Sequence, residues 1–83
     1  MKEKEVFDCI VELTKNGKFR LKVDDLFSNI TEKFSENKER YTIDSLFEDL
    51  SFLIDVEKSI RYNETWDALE ITPSGQRKNE RYL

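Results

Sequence analysis

Histidine is absent from these 83 residues, cysteine, proline and tryptophan occur once each, and glycine occurs twice. Without histidine there is no imidazole acid/base relay, no Cys/His or Ser/His pair, and no His-ligated metal site. The lone Cys9 has no intrachain partner for a disulfide, which suits a reducing compartment. Its place beside Ile10 in an apolar stretch makes it a small buried hydrophobe. Gly17 and Gly75 stand too far apart to form a phosphate-cradling loop. No glycine is surrounded by the ladder of oxygen ligands that a calcium loop needs. Carboxylate pairs such as Asp24 with Asp25, or Glu36 with Glu39, fall where helix starts and turns account for them. These absences point away from an enzyme, a cofactor or a metal. There is no long apolar run either. The charged opening Met1–Glu5 resembles neither a secretion signal nor a membrane span, so a cytoplasmic protein is the expectation.

What the chain has is charge. Charged residues make up 39% and the formal net charge is −4, so overall attraction to phosphate backbones is not built in, although local patches can outvote the sum. A chain of this length makes one domain, residues 1–83, that buries roughly 60 to 65% of its unfolded surface. The hydrophobic share is low at 37%. Its members recur periodically, however, which argues for a modest core rather than disorder.

The strongest pattern is an internal echo at an offset of twenty residues. Lys22-Val23-Asp24-Asp25-Leu26-Phe27-Ser28-Asn29-Ile30 is matched by Thr42-Ile43-Asp44-Ser45-Leu46-Phe47-Glu48-Asp49-Leu50. Both copies read apolar, Asp, polar, Leu, Phe, polar, polar, apolar. This spacing gathers the apolar residues on one helix face and puts an acid in each first turn, where the helix dipole favours it.

A first helix is expected over Lys2 to Lys15, with Val6, Phe7, Ile10, Val11 and Leu13 on its apolar side, and Asn16-Gly17 stops it. Lys18 to Val23 alternates basic and apolar residues, as a short half-buried strand does. The second helix presents Leu26, Phe27, Ile30 and Phe34. The polar run Ser35–Arg40 is a turn. Thr42 then caps the third helix, with Tyr41 and Leu46 at the spacing of a hydrophobic staple. Ile43, Leu46, Phe47, Leu50, Leu53 and Ile54 line its expected buried face, and Phe52 falls off that stripe, either at its edge or exposed for contact. Lys58–Tyr62 and Trp66–Ile71 read as two strands around Asn63-Glu64-Thr65, with Leu69 and Ile71 alternating against Ala68 and Glu70 and with Trp66 near the tip. Thr72-Pro73 opens a short final helix of about ten residues. The fold class is α+β, mostly α.

This order of elements, followed by Ile71-Thr72-Pro73-Ser74-Gly75, resembles the winged-helix superfamily, in which MarR-like and PadR-like regulators leave the second wing strand through a Leu/Ile-Thr-x-x-Gly segment. The resemblance implies a helix-turn-helix core with a hairpin wing, a third helix in the DNA major groove, and a wing that touches phosphates through Lys58 and Arg61.

Base readout favours Arg, Lys, Asn and Gln. The third helix exposes Asp44, Ser45, Glu48, Asp49, Ser51, Phe52 and Asp55 instead, and no basic residue lies from Tyr41 through Glu57. Four carboxylates set among phosphates repel them at separations near the Debye length of roughly 8 to 10 Å. The charge favours a non-catalytic module that binds a protein partner with a basic surface through Asp44, Glu48, Asp49, Phe52, Asp55 and Trp66, the two rings serving as anchors. A small regulator or inhibitor of a nucleic-acid-processing host complex, of the mobile-element or anti-CRISPR-like type, has these features. Superfamily habit favours the alternative: a homodimeric transcription regulator that grips duplex DNA with Lys38, Arg40, Ser45, Lys58 and Arg61. Arg77, Lys78 and Arg81 complement the dipole of the last helix.

Overall fold

The structure, a computed structural model, describes residues 3–33 and 41–80, with side chains to residue 78. Phe34, the expected turn with Lys38 and Arg40, and Arg81 lie outside the described residues. The chain runs α1 (Glu3–Thr14), α2 (Val23–Lys33), α3 (Ile43–Asp55), β1 (Ile60–Asn63), β2 (Ala68–Ile71) and α4 (Pro73–Glu80). It is an α+β fold, mostly helical, consistent with a winged-helix layout: three helices, a two-stranded antiparallel hairpin and a short C-terminal helix.

α1 buries Val6, Phe7, Cys9 and Ile10, the residues that its 3.6-residue period places on one face. It stops at Thr14, one residue before the expected end. The Thr14 hydroxyl donates to the Ile10 carbonyl at 2.7 Å and accepts from the Gly17 N–H at 3.2 Å. Lys15, Asn16 and Gly17 then take positive φ angles of 51°, 58° and 96°. Asn and Gly tolerate that region at little cost, so Lys15 is the member that bears strain. The turn is clamped from α4, where Gln76 Nε2 donates to the Asn16 carbonyl at 3.1 Å.

The strand expected over Lys18–Val23 shrinks to one bridge. Leu21 exchanges backbone hydrogen bonds with Leu69, at 3.0 and 2.6 Å, and no further pair forms among the described residues. The reason lies at the next element: Val23 already belongs to α2, whose first turn carries Asp24 and Asp25 at its positive end. Too few extended residues remain for a ladder, and Phe19 is left in water.

α3 opens as the sequence predicts. Thr42 is the N-cap, extended at φ −107°, and its hydroxyl accepts the Ser45 N–H at 3.2 Å. At the other end the N–H groups of Val56 and Glu57 both reach the Phe52 carbonyl, and Lys58 turns left-handed at φ 54°. Lys58 therefore cannot start the hairpin, and β1 begins at Ile60. Asp67, at φ 50°, likewise delays β2 until Ala68, so the loop is Glu64 to Asp67 rather than the expected Asn63-Glu64-Thr65. The register pairs Ile60 with Ile71, Arg61 with Glu70, and Tyr62 with Leu69. Ile60, Leu69 and Ile71 therefore face the helices and are buried, while Arg61 and Glu70 share the outer face. Ala68 shares that outer face and is buried all the same. Thr72 caps α4 by accepting the Gly75 N–H at 3.1 Å. Its hydroxyl also donates to the Lys58 carbonyl at 2.7 Å.

One continuous core joins Val6 and Ile10 of α1, Leu26 and Ile30 of α2, Leu46, Leu50 and Leu53 of α3, and Ile60 and Leu69 of the hairpin. Cys9 belongs to it, and burial pushes its thiol pKa up, as befits an inert side chain. Ser59 is buried too, and its hydroxyl is without a hydrogen-bond partner among the described residues. Ser59→Ala removes that unsatisfied group while keeping its backbone bonds, and is expected to raise stability by up to about 1 kcal/mol in urea unfolding. No described helix is long and apolar enough to cross a membrane.

Candidate functional site

The third helix does not hide its whole apolar stripe. Leu46, Leu50 and Leu53 pack inward, but Ile43 is exposed and Phe47 is 52% exposed, which corrects the expectation that both are buried. Residues 43, 47, 51 and 54 form one row at i, i+4, i+8 and i+11, turned toward the hairpin. The hairpin cannot cover that row, because its strands are four residues each and the expected third strand is a single bridge. A groove of about 520 Å³ remains between them. Val23, Ile43, Phe47, Ile54, Tyr62 and Leu69 supply its apolar wall, and Lys22, Asp24, Ser51 and Asp67 its polar lining. Tyr62 is fixed there by donating its hydroxyl to the Asp67 carboxylate across the loop. That hydrogen bond, with some burial, holds the Tyr62 phenol above its ordinary pKa.

Around this groove the predicted contact residues separate. At about 100° per residue, Asp44, Glu48 and Asp55 fall in one exposed band beside the Phe47–Ser51 side of α3, an acidic edge along the groove. Asp49 lies elsewhere. It is half-buried and accepts the Tyr41 hydroxyl at 2.5 Å. Desolvation, with that hydrogen bond second, pushes the Tyr41 phenol far above its ordinary pKa, so the pair joins α3 to the chain that leads into it. Phe52 points to the other side of α3, into a shallow hollow with Phe7 and Lys78. Trp66 is 58% exposed on the hairpin loop, with the Arg20 guanidinium 4.6 Å from its ring centroid, and is not among the groove's lining residues.

The residues of the DNA-binding alternative are dispersed as well. Ser45 is occupied at the N-cap, where its hydroxyl lies 3.0 Å from that of Thr42. Arg61 Nε donates to Glu70 at 2.9 Å on the outer hairpin face. Lys58 is exposed at the left-handed end of α3.

Ile43, Phe47, Ile54 and Tyr62 are the groove residues that periodicity alone assigned to the core or left open. α3 carries seven apolar side chains in thirteen positions, the ordinary share for an amphipathic helix, so nothing in its composition separates these residues from the core. Among the described residues no group of three or more Cys, Asp or Glu side chains is arranged to hold a metal ion. Comparison with protein-family models, with curated proteins and with solved structures finds no match to this chain.

Proposed function

We propose that the chain is a non-catalytic binding module whose groove, between α3 and the hairpin, takes the apolar side of a basic segment from a protein partner. The observation that carries this reading is the unburied row of Ile43 and Phe47, which faces Tyr62 and Leu69 across about 520 Å³. Apolar surface left uncovered costs free energy in water, about 25 cal/mol per Å², and a partner that covers it recovers that amount before the costs of association. The acids beside the groove select the partner's charge: Asp44, Glu48 and Asp55 on α3, with Asp24 and Asp67 in the lining, against the single cation Lys22. A segment with two or three large apolar side chains flanked by Lys or Arg matches both features.

Less supports duplex DNA on this surface. The exposed band of α3 that could reach base edges carries Asp44, Glu48 and Asp55, and the row beside it is the apolar wall of the groove.

Backbone amide shifts provide the test. A synthetic amphipathic helix with Leu and Phe on one face and Lys and Arg on the other should move the amides of α3 and β1 around the groove, while its Glu-substituted counterpart should not. Asp44→Lys combined with Glu48→Lys should weaken the basic peptide about ten-fold and leave thermal unfolding within a few degrees of the unmodified protein, since both side chains are exposed. Shifts scattered over the surface, or equal binding of both peptides, would refute the reading.

A further inference from the structure

The outer face of the hairpin has the opposite chemistry to the groove. The segment from Lys15 to Lys22 contains four cations and no acid, in a chain whose net charge is −4. Three of them, Lys15, Lys18 and Arg20, precede the Leu21 bridge, and the register of the hairpin brings Arg61 to the same side. A shallow hollow of about 330 Å³ lies between the two segments, lined by Lys18, Phe19, Arg20, Arg61 and Glu70 with Gly17 and Ile71. Glu70 is the sole carboxylate in that lining.

Glu70 does more than neutralise. One carboxylate oxygen accepts Arg20 Nε and the other accepts Arg61 Nε, both at 2.9 Å. Burial pushes the Glu70 carboxyl up, but hydrogen bonds from Asn63, Arg61 and Arg20 outweigh it and hold the group ionised. Two guanidinium groups are thereby gripped through their inner nitrogens, and their terminal nitrogens make no other hydrogen bond to protein among the described residues. Two guanidinium groups share one carboxylate, so the cluster keeps a net positive charge that an anion on its outer side would offset. Arg20 also stacks against one side of Trp66, whose ring remains mostly in water. Phe19, 56% exposed, stands next in the chain with Lys15 Nζ 5.9 Å from its ring.

We infer that this face binds single-stranded nucleic acid, with phosphates on Arg20 and Arg61 and an unpaired base stacked on Trp66. Fixed cations for the backbone and an exposed ring for a base are the two elements that single-strand recognition combines. A duplex keeps its bases stacked inside and would use the cations but not the ring. An acidic polypeptide would likewise engage the charges alone. The surface shares no residue with the groove, so it stands or falls independently of the protein-binding reading.

Trp66 is the only tryptophan and therefore reports on its own site. Titration with an oligothymidylate of about twelve nucleotides, at about 20 mM and about 200 mM salt, should quench its fluorescence saturably and with lower affinity at the higher salt. With a labelled oligonucleotide read by anisotropy, Trp66→Leu should weaken binding at least about five-fold. Arg61→Gln should also weaken it and reduce the slope of log affinity against log salt by about 0.7. Ser74→Ala, exposed on α4 and part of neither surface, should leave it unchanged. Absence of quenching at low salt would overturn the inference, as would undiminished binding by Trp66→Leu. Tighter binding of a blunt duplex, or an equal quench by heparin or polyglutamate, would overturn it too, because either would assign the face to charge alone. Both hairpin positions are exposed, and thermal unfolding of each variant confirms that the fold is intact.

Discussion

Gly75→Ala is expected to lower the unfolding free energy by about 3 kcal/mol or more, although helix propensity by itself predicts a gain of about 1 kcal/mol. Gly75 is the third residue of α4 and is buried. A Cβ there would press far inside van der Waals contact with the Ser59 carbonyl oxygen and stand 2.8 Å from Ile71 Cγ2. The Ser59 carbonyl is backbone, already held by the Thr72 N–H at 3.0 Å, so it cannot swing aside as a side chain would. To admit a methyl group, α4 must lift off the hairpin, and the Thr72 hydrogen bonds at the junction of β2 and α4 go with it. A fall in melting temperature of roughly 12 to 24 °C follows for a domain of this size. Ser74→Ala, one residue earlier and exposed, is the control and should stay within about 0.5 kcal/mol of the starting protein. A Gly75→Ala protein that melts within a few degrees of the original would show that the close approach is not rigid.

The same glycine shows how far the sequence could be read. In the segment Ile71-Thr72-Pro73-Ser74-Gly75 the cap and the proline announce the helix by local chemistry. The glycine is there for a tertiary reason, a neighbouring carbonyl 16 residues back in the chain. Elements governed by local rules were legible: the caps at Thr42 and Thr72, the break at Asn16-Gly17, and the inward residues Ile10, Leu26, Leu46 and Leu50. Elements that depend on competition between neighbours were not. Lys18–Val23 alternates like a strand, but the α2 start claims Val23, and only Leu21 finds a partner. Phe47, across the groove from Lys22 and Val23, stays 52% exposed. The periodicity of α3 correctly marks Ile43 and Phe47 as belonging to an apolar face, yet it cannot say whether this chain or another molecule covers that face. The acids were legible as a charged helix. That Asp49 turns inward to Tyr41 while Asp44 and Glu48 remain in water was not, because their spacing alone is compatible with either arrangement. Arg20 could not be linked to Arg61 at all, since 41 residues separate them in the chain and they meet only through the Leu21–Leu69 bridge, the hairpin register and the shared Glu70.

Phe47→Ala should reduce the affinity of a basic amphipathic peptide by about 30-fold or more, the loss of about 2 kcal/mol that marks a central anchor of an interface. Its effect on stability should be small, below about 1 kcal/mol, because half of the ring is already in water and its removal leaves no enclosed cavity. Leu46, the preceding residue, makes the opposite case. It is wholly buried in the core, and Leu46→Ala should cost about 2 to 5 kcal/mol of stability. Two adjacent apolar residues of one helix thus differ in burial, Leu46 in the core and Phe47 half in water, and on the proposed reading the second is the one a partner would cover. Urea unfolding and peptide titration of both variants measure the separation directly. If Phe47→Ala destabilised the protein as much as Leu46→Ala does, the stripe would be core throughout and the groove would close in solution. If it changed neither stability nor peptide affinity, the apolar row would not be the contact, and the acidic band beside it would have to bind any basic ligand without an anchor. Loss of affinity with the fold retained is the outcome that the uncovered row predicts, because only a side chain paid for by a partner, and not by the core, can be removed at so little cost to folding.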